Sequence, residues 1–160
     1  MKTIWKQKGL NTRSYKLDGQ LVNFNALMEV KTGDKKQTEN EIRSYIVEGL
    51  QQQKEVLKGK LLDVVVVAYV PKHRYFSSRN CARDVDNILK VVIDSLVKPR
   101  NDPSDTRYLL EDDSCIVRVL GYKLPKEDDQ NYDTNELQIV IREHNPEKQM
   151  VLGESGNDVI

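Results

Sequence analysis

The sequence is poor in cysteine, and it has neither a long apolar run nor an apolar N-terminal segment of the kind that directs secretion. Its two cysteines, Cys81 and Cys115, lack the spacing of metal ligands, and one pair does not make a disulfide framework, so we expect free thiols. No apolar run approaches the roughly 20 residues that cross a bilayer. These absences argue against a membrane or exported protein and predict a cytoplasmic one.

Neither sign of charge dominates, since 25 basic and 25 acidic residues give a formal net charge of zero. A balanced chain does not coat nucleic acid by bulk attraction, so nucleic-acid contacts would need a local cluster. One basic segment contains no acidic residue and ends directly before Asp84; its basic residues are Lys72, Arg74, Arg79 and Arg83. Such a run is commonly a solvated loop, but its position before carboxylates favours a DNA-binding surface.

The 160 residues suffice for one ordinary core, and no internal repeat divides them. We divide the chain into an uncertain N-terminal segment at 1–13, a domain at 14–143 and a flexible tail at 144–160. The expected order within the domain is strand, helix, strand, helix, strand, strand. This order predicts a small α/β domain, close to the α+β class, with helices packed against a mixed sheet.

Turn residues and apolar runs define the first half of the domain. Two short apolar-bearing runs within 14–22 flank Asp18-Gly19, which favours a tight turn in a hairpin or at a strand edge. Residues 23–37, rich in Asn, Lys and Gly, predict an exposed basic loop; its clustered lysines are Lys31, Lys35 and Lys36.

A helix and a central strand are expected next. Thr38 and Glu41 have the spacing of a capping box, so we expect the helix to begin there. Apolar residues recur at helical spacing as far as Leu57, and Gly59 is placed to end the helix with a left-handed conformation. The continuous β-branched run 61–70 predicts a strand that is covered on both faces.

In the second half we expect a helix from about Asp84 to Lys98, because Pro99 marks its end. Its predicted core face consists of Val85, Ile88, Leu89, Val92, Ile93 and Leu96. Two further strands are expected at 115–124 and 136–143, joined by a polar turn.

Acidic residues at the start of this helix carry the clearest chemical pattern. Asp86 and Lys90 are four residues apart, so their side chains share a face away from the apolar stripe. Glu111-Asp112-Asp113 precedes a strand that a mixed sheet could bring beside the helix start. Converging carboxylates repel one another unless a cation compensates, and Mg²⁺ prefers such oxygen ligands. A metal beside a phosphodiester can activate water and neutralise developing charge.

The string Asp84-Val85-Asp86-Asn87-Ile88-Leu89-Lys90-Val91-Val92-Ile93-Asp94-Ser95-Leu96, followed by Glu111-Asp112-Asp113-Ser114, resembles the signature of the RusA family of Holliday junction resolvases. That signature reads Asp-x-Asp-Asn-x-x-Lys-x-x-x-Asp-x-Leu and then Asp-Asp. Residues 17–25 are similar to the family's N-terminal strand and its Asn-bearing loop. The resemblance covers roughly 15–143, and the chain departs from it in a longer segment at 98–110 and in Val22, where a proline is common.

The resemblance implies a metal-dependent endonuclease of DNA recombination and repair, often encoded by a phage or prophage, that acts in the cytoplasm of a bacterium or a phage-infected host. It implies Mg²⁺, or alternatively Mn²⁺, held by Asp84, Asp86 and Asp113, with Lys90 as the fourth catalytic residue. It further implies a homodimer that makes paired cuts in branched DNA such as a four-way junction.

Other interpretations stay open for these residues. Asp84 could cap the helix, and Asp86 with Lys90 could form an ordinary surface ion pair. Asp112 is either an outer partner that orients a metal ligand or part of a solvated turn. Asp94 is interpreted as a surface or structural residue. At the level of function, the alternatives are a nuclease with flap, fork or duplex specificity, and a non-catalytic DNA-binding or phage regulatory protein.

Overall fold

A computed structural model describes residues 3–6, 15–28, 34–75, 85–126, 135–149 and 153–154. The strands are β1 (Thr3–Lys6), β2 (Tyr15–Lys16), β3 (Gln20–Leu27), β4 (Leu62–Pro71), β5 (Ile116–Lys126), β6 (Glu136–Glu143) and β7 (Gly153–Glu154). The α-helices are α1 (Lys35–Tyr45), α2 (Lys54–Leu57), α3 (Lys72–Tyr75) and α4 (Val85–Leu96). Between α1 and α2 the chain forms a short π-helix, Ile46–Leu50, and a short 3₁₀-helix, Gln51–Gln53. Another short 3₁₀-helix, Asp113–Cys115, precedes β5.

Five strands form one mixed sheet in the order β1-β3-β6-β4-β5. The outer pairs β1–β3 and β4–β5 are parallel, and β6 is antiparallel to both of its neighbours, β3 and β4. The predicted α/β architecture with a mixed sheet is confirmed. β2 and β7 form a separate antiparallel pair, so the predicted turn at Asp18-Gly19 joins strands of different sheets rather than a hairpin.

Helices α1 and α4 pack together and contribute to the main core, whose largest buried members include Phe24, Ile42, Ile46 and Leu96. Strand β4 is buried along its whole length because β5 and β6 flank it, which confirms the central strand predicted from its apolar run. No helix in the described part of the chain is long and apolar enough to cross a membrane.

The prediction of an exposed loop over 23–37 is wrong for its first residues. Asn23 and Asn25 lie in β3, where they are 2% exposed, because this strand is interior to the sheet between β1 and β6. The side-chain oxygen of Asn23 accepts a hydrogen bond from Gln138 Nε2 at 2.9 Å. A buried amide can therefore occupy a strand when a neighbouring strand supplies its partner.

The predicted capping box is also wrong, because α1 begins three residues before Thr38. Asp34 is the cap, and its side chain accepts a hydrogen bond from the backbone N–H of Gln37. Thr38 is buried within the helix, where its hydroxyl donates to the carbonyl of Asp34 at 3.3 Å. Gly59 has a φ of +74°, which confirms its predicted left-handed conformation after α2.

Helix α4 is held close to β5 at Gly121. A Cβ at this position would lie 2.8 Å from Val85 Cγ1 and 2.9 Å from Leu89 Cδ1, so a larger residue would have to displace these side chains. At its other end, Leu96 accepts backbone hydrogen bonds from Leu109 and Leu110. These two attachments fix the helix that carries the acidic motif.

Candidate functional site

The polar face of α4 has the orientation that its sequence predicts. Ile88, Val92 and Leu96 are buried against the sheet, whereas Asp86 and Lys90 are exposed on the other side. The four-residue spacing places both on one face of the helix, one turn apart. The apolar stripe therefore anchors the helix and leaves these two charged side chains accessible to a ligand.

The surface ion pair considered for Asp86 and Lys90 is absent. Among the described residues, neither side chain takes part in a salt bridge or a hydrogen bond. Asp94, one turn further along, differs from both because its carboxylate accepts a hydrogen bond from Lys35 Nζ at 2.7 Å. The carboxylate of Asp94 thus has a structural partner, as interpreted from the sequence, while Asp86 and Lys90 have none in that part of the chain.

Asp112 and Asp113 lie at the turn that leads into β5, and both are exposed. Hydrogen bonding with Asp113, together with hydrogen bonds from Ser114, lowers the pKa of Asp112. The backbone carbonyl of Asp112 also accepts a hydrogen bond from Cys115 Sγ at 3.0 Å. Cys115 is a free thiol as predicted, and burial raises its pKa.

A cavity of about 500 Å³ opens between α1, the end of α4 and the segment that follows it. Its lining includes Asp94 and Asp113, but neither Asp86 nor Lys90. The structure thus brings Asp113 to the surface beside the C-terminal half of α4.

The predicted metal ligands can be compared with this geometry only in part. Asp84 lies outside the described residues, whereas Asp86 and Asp113 are both exposed. Within the ranges that the structure describes, no three His, Cys, Asp or Glu side chains converge as a metal site. Carboxylate oxygens nevertheless match the preference of Mg²⁺, so the chemistry of the predicted donor set fits the ion.

The predicted DNA-binding segment begins on α3, directly after β4. Lys72 is exposed there. The side chain of Arg74 and the whole of Arg79 and Arg83 lie outside the described residues. Of the four predicted DNA-binding side chains, the structure therefore describes Lys72 alone.

Sequence reasoning missed Arg43, a buried residue of α1 that is 4% exposed. Its guanidinium donates to the backbone carbonyls of Arg107 at 2.8 Å, Asp94 at 2.9 Å and Val97 at 3.0 Å. Burial lowers the pKa of Arg43. Nothing in the local sequence distinguishes this arginine from a surface one, because all three acceptors are backbone atoms more than 50 residues away.

No family model matches the chain, and no curated protein matches it.

Proposed function

We propose that the chain is a metal-dependent endodeoxyribonuclease of the RusA type, which hydrolyses phosphodiester bonds in branched DNA in the cytoplasm of a bacterium or a phage-infected host. The observation that carries this proposal concerns three residues at the motif positions, Asp86, Lys90 and Asp113. Each is exposed, and none has an ion-pair partner among the described residues. No ion pair among the described residues has to be broken for these side chains to bind a metal ion or a phosphate, which is the role that the resemblance to the RusA signature implies for them.

The proposed metal ligands are Asp84, Asp86 and Asp113, which would hold Mg²⁺ or alternatively Mn²⁺. Bound there, the ion would supply an activated water and neutralise charge on the attacked phosphate. Asp112 is the proposed outer partner of Asp113, because the two acids are adjacent and exposed at the turn that leads into β5.

Lys90 has a different task in this proposal. Its exposed side chain lies one helical turn from Asp86 and forms no ion pair among the described residues. It can therefore orient the scissile phosphate. The basic segment that begins at Lys72 would position the nucleic-acid backbone through phosphate contacts.

The proposal includes a homodimer, because resolving a four-way junction requires two symmetric cuts. A two-fold dimer matches the pseudo-symmetry of the junction and supplies one set of acids for each cut. A mixed dimer with one Asp86→Asn subunit should nick one strand without completing resolution. Paired cutting by a protein that sediments as a monomer, both free and on the junction, would contradict this part.

The decisive experiment compares cleavage of a synthetic four-way junction and a matched linear duplex, with and without Mg²⁺. We expect Mg²⁺-dependent paired cuts in the junction, lost in Asp86→Asn and retained in Glu48→Gln. Glu48 is a matched control because it is an exposed acid on a helical turn away from α4. Tight junction binding without cleavage in any divalent metal would instead favour a non-catalytic DNA-binding protein. Equal cutting of the duplex, a flap or a fork would contradict the proposed specificity for four-way junctions but not the proposed hydrolysis of phosphodiester bonds.

A further inference from the structure

The segment between α4 and β5 is a closed loop. Val97 and Leu110 form a β-bridge at its base, where the backbone N–H of Lys98 donates to the carbonyl of Leu110 at 2.8 Å. The ends of the segment are thus adjacent, as in an Ω-loop, a type of compact surface loop that is frequently functional. We refer to residues 98–109 as the closed loop.

Several hydrogen bonds fix the closed loop from within and from the adjoining helical turns. The side chain of Arg107 forms an ion pair with Asp105 at 3.0 Å, and the backbone carbonyl of Arg107 accepts a hydrogen bond from the guanidinium of the buried Arg43. The carbonyl of Thr106 accepts hydrogen bonds from Gln51 Nε2 at 3.2 Å and Lys54 Nζ at 3.1 Å. A loop ordered in this way loses little conformational entropy when it binds a ligand.

The closed loop forms one wall of the cavity that Asp113 lines, and side chains of both charges surround this cavity. Among the acids, Asp94 is paired with Lys35 and Asp105 with Arg107, whereas Asp102 and Asp113 are exposed and have no ion-pair partner among the described residues. The basic residues Lys36 and Arg100 line the same cavity, are exposed, and likewise have no ion-pair partner in that part of the chain. Both cations are therefore available to an anionic ligand that enters from solvent.

We infer that Lys36 and Arg100 bind the phosphodiester backbone of the DNA strand on one side of the phosphate held near Asp113. This inference rests on the proposed nuclease function and assigns the longer 98–110 segment a role in it. Successive phosphates follow each strand of a duplex at about 3.4 Å along the helix axis, so a strand bound near Asp113 brings further phosphates to the cavity wall. Arginine can bind a phosphate through two parallel hydrogen bonds, while lysine acts as a point charge.

The test measures the affinity of the full-length chain for the junction and for linear duplex over a series of salt concentrations. Ca²⁺ replaces Mg²⁺ in these measurements, so that binding is followed without turnover. The variants are Lys36→Ala, Arg100→Ala and their combination. Lys58→Ala is the matched control, because Lys58 is an exposed lysine that does not line this cavity.

Each lost phosphate contact should reduce the slope of log affinity against log salt by about 0.9, and the double variant by about 1.8. Both DNAs should be affected alike, because both present the same phosphodiester backbone to these two side chains. An unchanged slope in the double variant, while the wild type cuts the junction, would overturn this inference alone. An equal loss in Lys58→Ala would also overturn it, since the effect would then be bulk charge. Absence of any DNA binding by the wild type would overturn the proposed function as well.

Discussion

Asp63 and Asp113 are both acids near the start of paired parallel strands, yet their surroundings are opposite. Asp63 is fully buried, and its carboxylate is bound by Arg118 at 3.0 Å, Arg142 at 3.0 Å and His144 at 2.8 Å. Asp113 is exposed and has no ion-pair partner among the described residues. The carboxylate of Asp63 thus stabilises the fold, whereas that of Asp113 is accessible to a ligand.

Strand register explains this difference. Asp63 lies in β4, where Arg118 of β5 and Arg142 of β6 are its direct neighbours on either side. The two arginines also donate to the carbonyls of Asn145 and Gln149, which ties the beginning of the predicted tail to the sheet. Asp113 precedes the first residue of β5, where the ladder has not begun and no neighbouring strand supplies a partner. The strand pairing thus supplies partners to Asp63 inside the sheet and none to Asp113, which precedes it.

The largest effect is expected when the unpaired acid is removed. Asp113→Asn should lower the rate of junction cleavage by about 1000-fold, because it removes a proposed metal ligand. The melting temperature should be nearly unchanged, since the exposed carboxylate has no ion-pair partner among the described residues. Rates measured at saturating DNA with Mg²⁺ check this prediction, and a rate equal to that of the wild type would remove Asp113 from the site.

For Asp63→Ala we expect the main effect on stability rather than on the cleavage rate. Removing this carboxylate leaves the side chain of Arg142 buried with one hydrogen bond in the described part of the chain, to the carbonyl of Gln149. The free energy of unfolding should therefore fall by about 3–5 kcal/mol. Urea denaturation measures the loss. Asp18→Ala is the control, because its ion pair with Lys148 is exposed and should contribute less than about 1 kcal/mol. Equal losses of unfolding free energy in both variants would show that the buried acid, Asp63, stabilises the fold no more than the exposed one, Asp18.

Arg43→Met should have a smaller effect on stability and a local one on structure. It leaves three backbone carbonyls without their donor while keeping the apolar volume, at a cost of about 2–3 kcal/mol. Hydrogen exchange should rise in the closed loop more than in the strands. Uniform exchange over the whole chain would show that Arg43 does not hold the loop.

The smallest effect is a dependence of stability on pH. Burial alone would raise the pKa of Asp63, but the contacts of its carboxylate with His144, Arg118 and Arg142 outweigh burial and lower it. A carboxylate with a lowered pKa stabilises the fold above its unfolded pKa of about 3.9, and this contribution is lost as the pH falls through the folded value. The difference in stability between wild type and Asp63→Ala should therefore shrink below about pH 4. A constant difference down to pH 2 would contradict this assignment.

The sequence predicts those features that depend on neighbours in the chain. The apolar run of β4, the amphipathic pattern of α4 and the conformation of Gly59 each follow from a local rule, and each is confirmed. The exposure of Asp86 and Lys90 follows from the same helical periodicity.

Features that depend on distant residues could not be predicted in this way. β3 contains asparagines that resemble a loop, and the buried side chain of Asn23 has hydrogen-bond partners in Gln20 and in Gln138, which is 115 residues away. The partners of Arg43 lie across α4 and the closed loop, and the partners of Asp63 follow from the order of strands in the sheet. Periodicity specifies which face of an element is buried, but it does not specify the atoms that it meets there.

The position of β6 has a consequence for how the chain acquires its fold. β3 and β4 precede it by many residues, yet β6 lies between them and is their connection within the sheet. During synthesis, the β1–β3 and β4–β5 pairs therefore remain separate, each with an open edge, until residues 136–143 emerge. Such non-local pairing slows folding, and the two open edges are sites where nascent chains could associate with one another.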